Sequence, residues 1–223
     1  SINSNFIHCI DVGSYIGVVT LMMSKTLEKS KKKWKVHSFE PFKESFFRLQ
    51  ENINLGSFTN NVILNNVAVS DKSDIKILKT YPNKPGQNHL NINTLKDEDN
   101  VYQEMVKVIT LNDYMHENNI KHVNICKIDT EGLDELVIKG LYDHLKNRVI
   151  DYFIFEYQEN ISFKNIRYLL TSNDYEIYYM VRNENFLVNS LENYPKNSKS
   201  LLNLIAVSPH KKNDFIKDFN LSD

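Results

Sequence analysis

The chain has 223 residues, 41% of them hydrophobic and 25% charged, with a formal net charge of −1, which suits one soluble α/β unit with its own core. That balance supplies no global field to gather nucleic acid or anionic lipid, and no apolar run approaches the ~20 residues needed to cross a bilayer. The two cysteines, Cys9 and Cys126, fall in apolar stretches expected to be buried strands, so both are expected to be reduced and no disulfide framework is implied.

The first element sets the frame. Phe6–Gly17 reads Phe-Ile-His-Cys-Ile-Asp-Val-Gly-Ser-Tyr-Ile-Gly, a run of strand-formers ending in Asp11, then a glycine-bearing turn and an apolar helix. That is the opening of a βαβ crossover, and its turn sits where open α/β sheets bind ligands. Helix-opening N–H groups favour a negatively charged group there. Gly13 and Gly17 bracket Ser14, Tyr15 and Ile16, so the middle glycine of a dinucleotide fingerprint is absent, and no Gly-Lys-Ser/Thr is present for a nucleoside triphosphate. The turn suits a ligand with one modest anionic end and a cation beside Asp11. S-adenosylmethionine, with a carboxylate, an ammonium and a sulfonium, meets that description.

A helix is expected to about Lys29, then a basic connector, Lys29–Lys35, read as solvated. Val36–Pro41 is a second strand ending in Glu40, roughly 20 residues past the loop, where this class of fold places an acid on ribose hydroxyls. Phe42, Phe46, Leu49 and Ile53 fall on one helical face and are expected in the core. Val62–Ser70 is expected as a third strand and Asp71–Leu78 as a turn and short strand. Tyr81–Thr94 is polar, with two prolines and a glycine, and is expected to be a long binding loop. Val106–Thr110 predicts a strand, with Thr110 capping a helix over Leu111–Asn118. Val123–Ile128 is a buried strand with Asp129, Glu131 and Gly132 at its end, followed by an amphipathic helix. Val149–Tyr157 is a further strand ending at Glu156, and Phe163–Ser172 a helix. Tyr175–Arg182 and Leu201–Ser208 predict a closing antiparallel pair around a polar loop, Leu191–Lys199. The tail from Pro209 to Asp223 is charged and expected to fray.

Three motifs in this order, Asp11-Val-Gly-x-x-x-Gly17, Phe39-Glu-Pro41 and Lys127-Ile-Asp-x-Glu-Gly132, resemble the FkbM-type methyltransferases of the class I S-adenosylmethionine-dependent superfamily, over about Phe6 to Tyr157. The resemblance implies a doubly wound, mostly parallel, seven-stranded Rossmann-like sheet with a closing antiparallel pair, residues 1–223 forming a single domain. It implies S-adenosyl-L-methionine as cofactor. Asp11, Gly13 and Gly17 would bound its methionine end, Glu40 would hold its ribose, Asn66, Val67 and Ala68 would border its adenine, Asp129 would lie on its sulfonium side, and Ser14, Tyr15 and Pro41 are expected as further cofactor-binding residues.

Methyl transfer from a sulfonium is an in-line displacement, in which the protein mainly positions the acceptor and a base takes the hydroxyl proton. Asp129, Glu131 and Glu156 are expected to converge from neighbouring strand ends, with His89 above them. Glu131 or His89 is the expected base and Glu156 the residue that orients the acceptor. The histidines show no paired metal spacing, and no metal is expected although clustered carboxylates suit hard cations. The acceptor expected is a small hydroxylated molecule, a sugar or glycan unit first, since FkbM-like enzymes are associated with sugars and polyketides. The alternatives are an RNA cap or tRNA methyltransferase on the same fold, for which only Lys29–Lys35 speaks, and a non-catalytic cofactor-binding or scaffold domain. A cytoplasmic location is expected, with the chain starting on Ser1 so that upstream sequence stays open, and the oligomeric state is not read from these residues.

Overall fold

The computed structural model describes residues 6–80, 89–90, 102–130, 132–156, 161–181, 186–188 and 203–219. Its centre is a sheet of mostly parallel strands. β1 (Phe6–Val12), β2 (Lys33–Phe39) and β3 (Val62–Asn65) run to one side. With β4 (Ala68–Val69), β5 (Asp74–Thr80), β6 (His89–Leu90) and β7 (Tyr102–Ile109) built elsewhere, the sheet resumes on the other side of β1. There it takes β8 (Val123–Ile128), β9 (Ile150–Glu156), β10 (Glu176–Val181), β11 (Phe186–Val188) and β12 (Asn203–Val207). The strand order is β11-β10-β12-β9-β8-β1-β2-β3, the expected seven strands and closing antiparallel pair with the three-residue β11 added at the edge.

The chain winds away from β1 in both directions, so the order reverses between β1 and β8, the point at which such sheets bind ligands. Side chains alternate across the pleat. Cys9 joins one cluster with Val36, Leu49 and Ile53, beneath α1 (Val18–Glu28) and α2 (Lys43–Leu55). Ile10 and Val12 face the other way, into the larger cluster with Ile128, Phe153 and Phe155. That side is covered by α3 (Leu111–Glu117), α4 (Asp134–Lys139), α5 (Tyr142–Lys146) and α6 (Ile161–Thr171). Thr110 caps α3 as expected, its side chain accepting from Asp113 N. Both cysteines are buried and free, and burial pushes the Cys9 thiol up to about 12.

Three expectations are corrected. Val62–Ser70 is not one strand: the chain leaves the main sheet after Asn65, and Ala68–Val69 pairs with β7 in a second sheet of order β4-β7-β5-β6. The side chain of Asn66 donates to the carbonyls of both Glu40 and Pro41 at 2.9 Å, and this tertiary tie turns the backbone out of the strand. The basic connector is shorter than Lys29–Lys35, because Lys33 already pairs with Phe6 and Trp34 is buried. The tail does not fray from Pro209: Lys212–Phe219 forms α7. Phe215, 3% exposed, packs on Tyr152 and Tyr178 with ring centroids 5.9 and 4.9 Å away. Since Tyr152 pairs with Ile125 of the α1–α2 face, α7 covers the same side of the sheet farther along. Leu191–Lys199 lies outside the described residues. Among those residues no helix is long and apolar enough to cross a membrane.

Candidate active site

The turn after β1 is built by its own side chains and by β2. Gly13 N and Ser14 N both donate to Phe39 O at 3.0 Å, and Ser14 Oγ donates to Asp11 O at 2.8 Å. Gly13 has φ 75°, and a Cβ there would stand 1.8 Å from the backbone oxygen of Asp129. Only glycine lets the ends of β1 and β8 approach this closely. Gly17, at φ 93°, then caps α1. Between them Tyr15, at φ 49°, turns its N–H toward Glu40 Oε2 at 2.8 Å.

Glu40 stands at the end of β2, 5% exposed. Its other oxygen accepts from Phe42 N at 2.9 Å. Burial raises its carboxyl from 4.5 to about 7, against the two backbone hydrogen bonds and Lys127, which pull it down. The carboxylate lies on a cavity of about 210 Å³ lined also by Gly13, Tyr15, Pro41, Val67, Ala68 and Asp129, all residues singled out in the sequence. Val12 and Phe39, which lie inside the sequence motifs with no site role expected of them, and Val69, Leu78, Thr130 and Leu133, which read as ordinary core or turn residues, complete the wall.

Asp11 takes a different place. It is fully buried beneath the turn and is not among the residues lining the cavity. Its Oδ2 accepts from Thr20 Oγ1 at 2.6 Å, while Oδ1 has no hydrogen bond and lies 3.4 Å from Lys127 Nζ. Burial raises the Asp11 carboxyl and Lys127 opposes it. The cation expected beside Asp11 is therefore supplied by the chain itself. The Lys127 ammonium also donates to Gly13 O at 3.1 Å and sits 3.2 Å from Asp129 Oδ2. Ser14 is buried as well, and Asn66 acts from behind, holding the Glu40 and Pro41 carbonyls.

Asp129 is half-exposed at the end of β8. Thr130, next to it, donates from its backbone N to Asp134 Oδ1 at 2.9 Å and from its hydroxyl to the same oxygen, which fixes the turn into α4. Ile128 pairs with Phe155, so Glu156 ends β9 level with Asp129 on the adjacent strand, where neighbouring chains run about 4.8 Å apart. Glu156 is not among the residues lining the cavity. Glu131 lies outside the described residues. His89 stands in β6 rather than in open loop, its backbone paired with Lys79 of β5, one residue past the cavity-lining Leu78; its neighbours Gln87 and Asn88 lie outside the described residues.

The chain compares with known proteins along this same stretch. Residues 11–177 match the model of the methyltransferase FkbM domain. A curated relative, Methyltransferase 1 of Beauveria bassiana (strain ARSEF 2860), is 28% identical over 149 residues, 60% of this chain and 58% of its own length. The crystal structure of methyltransferase FkbM from Methylobacillus flagellatus KT superposes with a TM-score of 0.55 at 13% identity, over 91% of this chain and 44% of that one. The N-terminal domain of human METTL16 in complex with SAH gives a TM-score of 0.51 at 11% identity, over 93% and 63%. The two structures share the fold. The chain spans somewhat over half the length of the curated relative and under half that of the FkbM crystal chain.

Proposed function

The chain belongs to the methyltransferase FkbM family, and from that we propose that it transfers a methyl group from S-adenosylmethionine to a hydroxyl of a small acceptor, a sugar or glycan unit. The matched domain is that of an S-adenosylmethionine-dependent methyltransferase, and residues 1–223 act as one domain in this proposal. One observation carries the reading: a buried carboxylate, Glu40, stands on a cavity at the β1–β8 switch point, clamped by two backbone N–H groups.

The donor set fits the cofactor. Each Glu40 oxygen takes one backbone donor and keeps a lone pair for a ribose hydroxyl. Val67, Ala68, Phe39 and Leu133 line the cavity with apolar walls suited to adenine, and Gly13 and Tyr15 line it from the turn, the side we assign to the methionine end. Asp129 supplies a negative charge on the sulfonium side. When bound, the cofactor supplies an electrophilic methyl group. The protein holds the acceptor in line with it, with Glu156 orienting the hydroxyl and Glu131 or His89 taking its proton. β6 brings His89 alongside the β5 wall of the cavity.

The test is a thermal shift with S-adenosylhomocysteine against NAD, followed by labelled methyl transfer to a panel of sugars and RNAs. At ~100 times its dissociation constant the first ligand should stabilise the fold by about 2.7 kcal/mol. Methylated sugar with unlabelled RNA is the expected outcome; label only in RNA overturns the acceptor, and no shift overturns the whole reading. His89→Ala and Glu131→Gln should keep ligand affinity, and at least one should lose turnover by about 10²–10⁴-fold.

A further inference from the structure

At the end of the sheet opposite the cavity, three side chains far apart in sequence meet. His122 immediately precedes β8, Asp151 is the second residue of β9, and His210 follows β12. β12 runs antiparallel to β9, with Val207 opposite Tyr152, so the residues after it return to the N-terminal edge of the parallel strands, where Ser208 N donates to Asp151 O at 2.9 Å. His122 Nε2 and His210 Nε2 both lie 2.8 Å from the same carboxylate oxygen, Asp151 Oδ1. The three donor atoms are all within 4.8 Å of one another.

We propose that His122, Asp151 and His210 form a binding site for a divalent transition ion, zinc foremost, that staples the turn before α7 to the edge of the main sheet. The donor set, two imidazoles and one carboxylate, is one that zinc takes, with a fourth position left for water. The carboxylate is oriented for it. Asp151 is 1% exposed, and its other oxygen is held from behind by Asn124 Nδ2 at 3.2 Å and by Lys211 Nζ at 4.0 Å. That leaves Oδ1 for a single bond to the ion. Ser208 Oγ, 3.3 Å from His210 Nε2, is a further polar group at the site. Without metal, each imidazole donates its Nε2 proton to Oδ1. With metal, each presents the Nε2 lone pair and carries its proton on Nδ1, and the Nε2–Oδ1 separations open to about 3.4 Å, as ligands ~2.1 Å from one tetrahedral ion require. The site is structural and does not touch the cavity: the six residues of β8, about 20 Å of strand, lie between His122 and Asp129.

The experiment uses the full chain, freed of any affinity tag, stripped with chelator and titrated with Zn²⁺, and in parallel with Co²⁺ for its visible d–d bands. One ion per chain is expected, with tetrahedral cobalt bands. His210→Ala, in a surface turn, should lose about a hundredfold or more in affinity together with those bands. Asn124→Ala should lose about tenfold, as expected of a group that only orients a ligand, and His116→Ala should leave binding unchanged. Failure of the folded protein to take up zinc at micromolar concentration overturns the site, as does zinc binding that survives both His210→Ala and His122→Gln.

Discussion

Lys127 Nζ lies 3.4 Å from Asp11 Oδ1, a fully buried oxygen with no hydrogen bond of its own. The two residues sit on adjacent strands, with Asp11 and Lys127 in register. The ammonium is the counter-charge that lets a carboxylate remain in the floor of the turn. Lys127→Met should therefore cost about 3–5 kcal/mol, the penalty of stranding a buried charge. Adding Asp11→Asn should return most of that loss, a coupling read from urea unfolding of the two single variants and the double variant.

Gly13 and Gly132 both have positive φ, 75° and 101°, but only Gly13 is crowded. Gly13→Ala would meet the Asp129 backbone oxygen, whereas a Cβ at Gly132 meets nothing within 4 Å. We expect Gly132→Ala to cost only the backbone strain of a left-handed residue, about 1–2 kcal/mol. Gly13→Ala should cost roughly 3 kcal/mol or more and weaken S-adenosylhomocysteine binding, because β1 and β8 must part. Denaturant midpoints and ligand titration check both.

Glu40 gives a pH signature. Its carboxyl is raised from 4.5 to about 7 in the fold, so the folded state holds a proton that the unfolded chain has already lost. The stability this group contributes is full below pH 4.5 and is lost as pH rises to about 7. Glu40→Ala should flatten that part of the stability–pH curve. Binding of S-adenosylhomocysteine should run the other way, since the proposed contact to two ribose hydroxyls wants the carboxylate: affinity should fall below pH 7 by up to about tenfold per pH unit, and in Glu40→Ala this dependence should vanish.

Phe215 anchors α7 by a single buried ring. Phe215→Ala should cost about 3 kcal/mol and release the helix without opening the sheet. Amide exchange is the measurement: α7 should lose protection while β1 and β8 keep theirs.

The elements best read from sequence are those whose signal is local. The β1 turn announced itself because two glycines follow a strand, and Glu40 because an acid ends the next one. What stayed hidden depends on partners distant in the chain. Nothing near Asn66 says that its amide will hold two carbonyls of the Glu40–Pro41 turn and end β3 early. Lys127 was visible inside a motif, but its partner Asp11 lies in another motif across the sheet. Phe215 was masked by the charges around it, and His122, Asp151 and His210 share no spacing at all. The cavity wall is half legible for the same reason: the strand-end polar residues show a pattern, whereas Val69, Leu78 and Leu133 differ from core residues only by where the fold leaves space.

The detour after Asn65 separates two inheritances. The Gly13–Gly17 turn, Glu40 and Lys127 belong to the central sheet, where a change in one strand disturbs its neighbours. Ala68 and Leu78 belong to the side sheet and form its small apolar cluster with Val106 and Val108, while Val69 of the same sheet packs into the main core. One wall of the cavity thus hangs on a different hydrogen-bonded ladder from its floor, so that a packing change in the side sheet would move Ala68 and Leu78 while the β2-β1-β8 ladder that holds the glycine turn stays paired.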